Sequence, residues 1–481
     1  MATETVEVAD HELILAGERI ETGEWAEVRS PYDGSVVGRV AQGDSTLVDR
    51  AAHAARDAYE AGEFPQHERA AVLSRAAEIV RDRVDELALT IAAEAGKPLK
   101  TAKVEASRCV DTLTFSAVEA RKLTGGTVPM EAASSGAGKL GVMIRVPYGV
   151  VGAISPFNFP LNLVAHKLGP ALAAGNAVVL KPAAQTPLSA IGLAGILVEA
   201  GLPEGWLSVV PGSGSEVGAA IVSHELVRAI TFTGSSGVGW GIRSEVPHKQ
   251  VNLELGSNAP LIVHADGDWE SAADKAKLHA FSHAGQSCIS IQRILVHEDV
   301  ADRFTERFVA NAESLQVGDP LDPETDVGPL ISSEDRDRVK QWVEEAVEAG
   351  AELLTGGELV DGDRCLAPTV LANPPRETKV WCEEIFGPVA TIDRYREFDE
   401  ALRLANDSKF GLQAGVFTGD VGRAIEAGNS LEFGGVLINE VPTFRADQMP
   451  YGGVKDSGNT REGPAYAVLE LTEERFVSFQ G

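Results

Sequence analysis

The sequence predicts an α/β protein with a parallel sheet wrapped by helices on both faces and a second α/β region beyond it. Three observations carry that expectation. Short apolar runs at 149–154, 177–181, 207–210 and 229–232 alternate with helical stretches. The turn Thr233-Gly234-Ser235-Ser236-Gly237 joins one such run to a predicted helix. A second α/β region runs from about 255 to 450. Apolar strands separated by helices pair in parallel and are covered on both faces.

The elements follow in order. Residues 1–45 alternate polar and apolar, with turn signals at Gly17, Gly23 and Pro31-Tyr32-Asp33-Gly34, and read as short strands. Residues 46–123 are rich in alanine at helical spacing and read as about three long helices. Residues 124–142 are rich in Gly, Ser and Ala, and read as a loop or hairpin. Strands follow at 149–154 and 177–181, then a helix at 187–200, then strands at 207–210 and 229–232. The C-terminal stretch 474–479 alternates like an exposed strand. An unpaired edge of that kind is a liability that a second subunit can cover. Internal repeats and low-complexity segments are absent from the sequence.

A chain of 481 residues corresponds to two or three domains. Its 71 acidic residues against 42 basic ones give a formal net charge of −29, and only 14 of the basic residues are lysine. Such a surface repels nucleic acid. Acidity with little lysine fits adaptation to high salt, where self-repulsion is screened. Cys109, Cys288, Cys365 and Cys382 lie far apart, so neither a disulfide framework nor a zinc site is expected, and no metal is assigned. The acidic N-terminus lacks the apolar core of a signal peptide, and no apolar run reaches the ~18–20 residues of a membrane span. A cytoplasmic protein is expected.

Chemistry concentrates at a few places. Cys288 is preceded by the small residues of Ala284-Gly285-Gln286-Ser287, and Glu254 lies in Leu253-Glu254-Leu255-Gly256. Covalent thiol catalysis needs a soft nucleophile and a base that later activates water. Asn158, between Pro156 and Pro160, is a preorganised amide donor suited to an oxyanion. Gly234 and Ser235 open a helix, the setting for a pyrophosphate. Lys181 ends a predicted parallel strand, where ligands of such sheets bind. Glu384 and Phe386 stand beside the turn Gly387-Pro388: a carboxylate can grip a ribose diol, and a phenyl ring can shield a flat base.

Taken together, Pro156–Pro160, Leu180-Lys181-Pro182, Phe232–Ser235, Leu253–Gly256, Gly285–Cys288, Glu384–Pro388 and Pro450-Tyr451-Gly452-Gly453-Val454-Lys455 resemble the aldehyde dehydrogenase superfamily over nearly the whole chain. The resemblance implies two Rossmann-like parallel-sheet domains plus a small β oligomerisation flap. Residues 1–123 with 143–254 would bind the dinucleotide, 255–455 would carry catalysis, and 124–142 with 466–481 would bridge subunits of a homodimer or homotetramer. It further implies that Cys288 attacks an aldehyde, that Asn158 and the Cys288 N–H hold the oxyanion, and that Glu254 activates water against the thioester. Lys181 and Ser235 would line the adenosine and pyrophosphate side of NAD or NADP, with Glu384 and Phe386 at the nicotinamide riboside, and Gly234, Ser155, Pro156 and Ala184 would also contact the cofactor. Many NAD-preferring members carry a Glu where this chain has Ala184, so use of NADP is open. Ser257 replaces a frequent second glycine after Gly256.

Arg108 and Arg445 lie in stretches resembling a branch that handles small polar aldehydes: lactaldehyde, non-phosphorylating glyceraldehyde-3-phosphate and phosphonoacetaldehyde dehydrogenases. There the first arginine meets an anionic or hydroxylated tail. The bland alternative for Arg108 is a helix-surface pair with Glu105 or Asp111. Phe159, after the catalytic Asn, counts against phosphonoacetaldehyde, and Ser287 removes a second cation that a phosphate site would use. Lactaldehyde, glyceraldehyde or a small semialdehyde is therefore favoured. A CoA-acylating dehydrogenase and a non-catalytic scaffold are the competing classes. Glu254 argues against the first, and the intact Cys288, Glu254 and Asn158 against the second.

Overall fold

The computed structural model describes residues 8–480; the segments 1–7 and 481 included in the domain expectations lie outside it. The first large sheet has the strand order Gln250–Glu254, Val227–Thr233, Val150–Ile154, Ala177–Lys181, Leu207–Val209, Leu13–Leu15, Glu18–Ile20. Its first five strands are parallel, and the N-terminal hairpin closes one edge antiparallel. Those five are mostly buried because helices cover both faces. The expected strands at 149–154, 177–181, 207–210 and 229–232 and the helix at 187–200 all lie within a residue or two of those observed.

The helical region differs from expectation in count. Four helices form, Ser45–Ala61, Gln66–Asp82, Val84–Ala95 and Leu99–Lys122. Arg83, at φ −112° and ψ 20°, separates the second from the third without a glycine or proline to announce it. Gly96, at φ 65°, and Pro98 separate the third from the fourth.

The second large sheet runs Glu352–Thr355, Thr369–Ala372, Val389–Tyr395, Arg293–His297, Pro260–Val263, Gln413–Phe417, Gly435–Ile438. All but the first strand are parallel. Each large sheet has its own apolar core. A third, smaller sheet pairs Thr472–Gln480 with Lys139–Pro147, and the latter with Gly126–Val128. The C-terminal strand is therefore paired on one side and remains an edge on the other. Leu140, Ile144, Phe476 and Phe479 of this flap are exposed. The segment 124–142, expected as a loop or hairpin, forms the hairpin: it holds Gly126–Val128 and the start of Lys139–Pro147, which pair antiparallel.

Candidate active site

Cys288 follows a short 3-10 turn, Ser282–Gly285, in which His283, Ala284 and Gly285 all take left-handed backbone, φ 52°, 53° and 70°. A Cβ at 285 would overlap the Gly387 carbonyl, so that position admits only glycine. Left-handed non-glycine residues cost about 1–2 kcal/mol each, and surrounding contacts must over-determine them. Gln286 does this. It is fully buried, its Oε1 accepts from Ile331 N–H at 2.8 Å, and its Nε2 donates to the His283 carbonyl at 3.0 Å. Its own carbonyl accepts from Asn158 Nδ2 at 2.9 Å. The Asn158 amide is thus tied to the backbone two residues before Cys288, and its second N–H is left for a ligand.

The Cys288 sulfur lies 2.7 Å from the Tyr451 hydroxyl. Burial pushes the thiol up to about 12, against the Tyr451 hydrogen bond and the Arg445 charge, which favour the thiolate. Glu254 ends the strand Gln250–Glu254 and is buried, with neither carboxylate oxygen hydrogen-bonded. Burial, and then the neighbouring charge of Glu462, raise its carboxyl well above the usual range. An uncompensated buried carboxyl costs stability and persists where function uses it.

Polar residues that the sequence did not single out surround this pair. The helix Asn162–Ala174 follows Asn158, and Glu105 from the helix Leu99–Lys122 caps its start by accepting from Leu161 and Asn162 N–H at 3.0 and 3.1 Å. Lys97 pairs with the same Glu105 and sits 3.6 Å from the Phe159 ring. Asp447 accepts from Arg108 and from Asn162 Nδ2, and lies 2.9 Å from His166 Nε2. Arg445 Nη2 donates to Glu462 at 2.8 Å and also lies 3.0 Å from that His166 nitrogen. One ring nitrogen cannot donate to Asp447 and accept from Arg445 at once, so His166 serves one partner at a time. Lys167 donates to Thr233 Oγ1 at 2.6 Å and reaches Glu462 at 4.0 Å. The signal was there in Asn162, His166 and Lys167, polar residues inside an otherwise apolar helix.

Arg108 forms neither of the helix-surface pairs considered for it. Glu105 is turned inward to Lys97 and the neighbouring helix, and Arg108 reaches across to Asp447. Arg108 and Arg445 line a narrow cavity of about 30 Å³ with Phe159, Leu163, Cys288 and Tyr451. Arg108 keeps 24% of its side chain exposed, against 6% for Arg445.

The expected dinucleotide residues lie in two places. Ser235 precedes the helix Ser236–Glu245 and makes no capping bond with its own side chain, which leaves its hydroxyl for a ligand. It lines a cleft of about 590 Å³ with Ser236, Trp240, Glu383, Glu384 and Lys409. Gly234 packs against the Phe232 ring. Lys181 is buried, donates to the Pro182 carbonyl at 2.9 Å, and is pushed down to about 8 by burial. Its carbonyl accepts from Ser155 N–H. Pro156 is half-buried, and Ala184 is exposed in the bend that follows Lys181. Glu384 accepts from Ser257 N–H at 3.0 Å and is raised to about 7 by burial. A Cβ at Gly256 would overlap its carboxylate. Phe386, at φ 51°, meets the Phe157 ring edge-on at 5.8 Å. The open Ser235 hydroxyl, the helix N-terminus and the Glu384 cradle fit a dinucleotide.

Asp49, His53 and His224 also cluster, but they share no residue with the Cys288 pocket. His224 Nδ1 accepts from Leu226 N–H while Nε2 faces Asp49, so this imidazole is already used at both nitrogens. No helix among the described residues is long and apolar enough to cross a membrane.

The model of the aldehyde dehydrogenase family matches residues 19–477. The chain is 44% identical over 475 residues to the 3-sulfolactaldehyde dehydrogenase of Priestia megaterium, covering 99% of each. Aldehyde dehydrogenase 21 from Physcomitrella patens, solved with the reaction product succinate, superposes with a TM-score of 0.95 at 38% identity over 99% of both chains. GapN, a glyceraldehyde-3-phosphate dehydrogenase from Methanocaldococcus jannaschii complexed with NADP, gives 0.90 at 38% identity over 95% of this chain and 99% of its own.

Proposed function

The chain belongs to the aldehyde dehydrogenase family, and on that premise we propose that it oxidises a short aldehyde with a hydroxylated or anionic tail to the carboxylic acid, with Cys288 as nucleophile and Glu254 as the base for water. The observation that carries this reading is the pocket itself, where Cys288 shares a narrow cavity with the exposed edge of Arg108. Lactaldehyde, glyceraldehyde and small semialdehydes carry the hydroxyl or carboxylate that the Arg108 guanidinium would meet, and sulfolactaldehyde, the substrate in a relative's name, carries the same kind of tail.

The cofactor is NAD or NADP, which when bound takes the hydride from the substrate carbon. The chain's own residues supply the rest. Cys288 Sγ bonds to the carbonyl carbon, and the free Asn158 N–H and the Cys288 N–H receive the negative oxygen. Glu254, whose burial raises its basicity, takes a proton from water as that water attacks the resulting thioester. The thiolate leaves as the acid forms. Ser235 and Lys181 are proposed to hold the pyrophosphate and adenosine side, and Glu384 and Phe386 the nicotinamide riboside. The exposed apolar side chains of the flap support a homodimer or homotetramer, with the flap joining subunits and the two large sheets dividing cofactor binding from catalysis.

The test is an aldehyde panel read as NAD(P)H formation, with both cofactors in parallel and at molar KCl, on wild type and Cys288→Ala. Wild type should prefer tailed aldehydes over propanal. Cys288→Ala should bind dinucleotide normally and turn over less than about a thousandth as fast. Retained turnover in that variant refutes the nucleophile.

A further inference from the structure

Tyr451 is 2% exposed, and its hydroxyl oxygen lies 2.7 Å from Cys288 Sγ. Its ring packs with Ile289 and Leu412. Its backbone is bound to Glu462 in both directions, Tyr451 N–H to the Glu462 carbonyl at 3.1 Å and Glu462 N–H to the Tyr451 carbonyl at 2.6 Å. The Glu462 side chain holds Arg445, and the Arg445 guanidinium lies 3.9 Å from the centre of the Tyr451 ring. Arg445, Tyr451 and Glu462 therefore form one rigid unit aimed at the sulfur.

The chemistry of that contact depends on the state of the sulfur. A thiol can donate to the phenol or accept from it. A thiolate can only accept, so the phenol must then be the donor. A cation over the ring face draws density from the ring and makes its O–H a stronger donor. Through Arg445 and Glu462 the hydroxyl is held in place before any substrate arrives, so little reorganisation is needed.

We propose that Tyr451, backed by Arg445, is a catalytic residue whose hydroxyl stabilises the Cys288 thiolate before attack on the aldehyde. This rests on the reading of Cys288 as nucleophile. No proton leaves Tyr451: the thiol proton passes to a water molecule, and the phenol only donates a hydrogen bond. Burial disfavours the thiolate strongly, which is why such a donor matters here.

The experiment is the pH dependence of iodoacetamide alkylation at Cys288, located by peptide mass spectrometry, in wild type and Tyr451→Phe. A hydrogen bond to a charged group corresponds to about one to two pH units. The midpoint should therefore move up by about one unit or more in the variant, and the rate at pH 7.5 should fall by roughly tenfold. The burst of hydride transfer should slow in parallel, with KM for the aldehyde and dinucleotide affinity little changed. A profile that superimposes on wild type overturns the proposal, as does a loss confined to aldehyde KM, which marks a pocket wall. Wild type grown with 3-fluorotyrosine gives the opposite sign without altering shape: a more acidic phenol should lower the midpoint, and an unmoved midpoint counts against the proposal. If Cys288→Ala retains turnover, the nucleophile reading fails instead, an outcome separable from either alkylation result.

Discussion

Arg108 donates to both oxygens of Asp447, Nη2 to Oδ1 at 2.8 Å and Nε to Oδ2 at 3.1 Å. Burial alone would raise Asp447, but His166 and Arg108 outweigh it and hold the carboxylate well below its ordinary range. The pair fixes the guanidinium in orientation and leaves its exposed edge at the cavity that Cys288 lines. A side chain already ordered loses little entropy when it meets a substrate tail.

Arg108→Leu should therefore raise KM for lactaldehyde- or glyceraldehyde-type substrates by roughly ten- to a hundred-fold, the loss of one charge-assisted hydrogen bond. Propanal, which has no tail, should be nearly unaffected. Steady-state kinetics on both substrates decide it: equal losses would make Arg108 a structural strut for Asp447.

Glu254→Gln should stall at the thioester. A burst of NAD(P)H near one equivalent per active site is expected in stopped flow, followed by turnover slowed roughly 100-fold or more. Absence of a burst would place Glu254 earlier in the reaction.

Gly256→Ala puts a methyl group where the Glu384 carboxylate lies. Glu384 should be displaced from Ser257 N–H, raising KM for the dinucleotide by roughly tenfold while iodoacetamide still labels Cys288 at the wild-type rate. Unchanged cofactor kinetics would remove Glu384 from the cofactor site.

Glu94 makes stability depend on pH. It is fully buried, accepts from Leu188 N–H at 2.8 Å and Ser189 N–H at 2.9 Å, and is raised by burial to about 7 from 4.5. Between those values the folded state binds more protons than the unfolded one. The contribution is therefore fully present below pH 4.5 and is lost as pH rises through about 7. Glu94→Gln should lower stability overall, through the lost helix cap, and should flatten its decline between pH 5 and 7.5. Urea midpoints at three pH values in that range would show it; parallel declines in the two proteins would contradict it.

Salt should stabilise the fold. Screening weakens the surface ion pairs, worth about 0–1 kcal/mol each. It also weakens the self-repulsion of a net charge of −29, which dominates. The melting temperature should rise steeply from dilute buffer to molar KCl, and a flat dependence would remove the reading of salt adaptation.

By itself the sequence determined the alternation of strands and helices, because period and turn chemistry are local properties. It determined the parallel character of the first sheet, because short apolar runs there alternate with helices; the second was legible only as a further α/β region. The candidate site residues Asn158, Lys181, Glu254, Cys288 and Glu384 could be picked out too, not from any one motif but from the order of several along the chain. The break at Arg83 was not legible, since no glycine or proline marks it. Nor were the partners. Arg108 and Asp447 lie 339 residues apart, Cys288 and Tyr451 163, and Glu105 and Asn162 57. Spacing along the chain says nothing about pairs that only packing brings together. At Arg108 the sequence suggested neighbours on the same helix, whereas burial of Glu105 against Lys97 left the guanidinium free to cross to Asp447. Tertiary structure decided which charges meet, because a buried charge must find a partner in space and the chain supplies that partner from wherever folding places it.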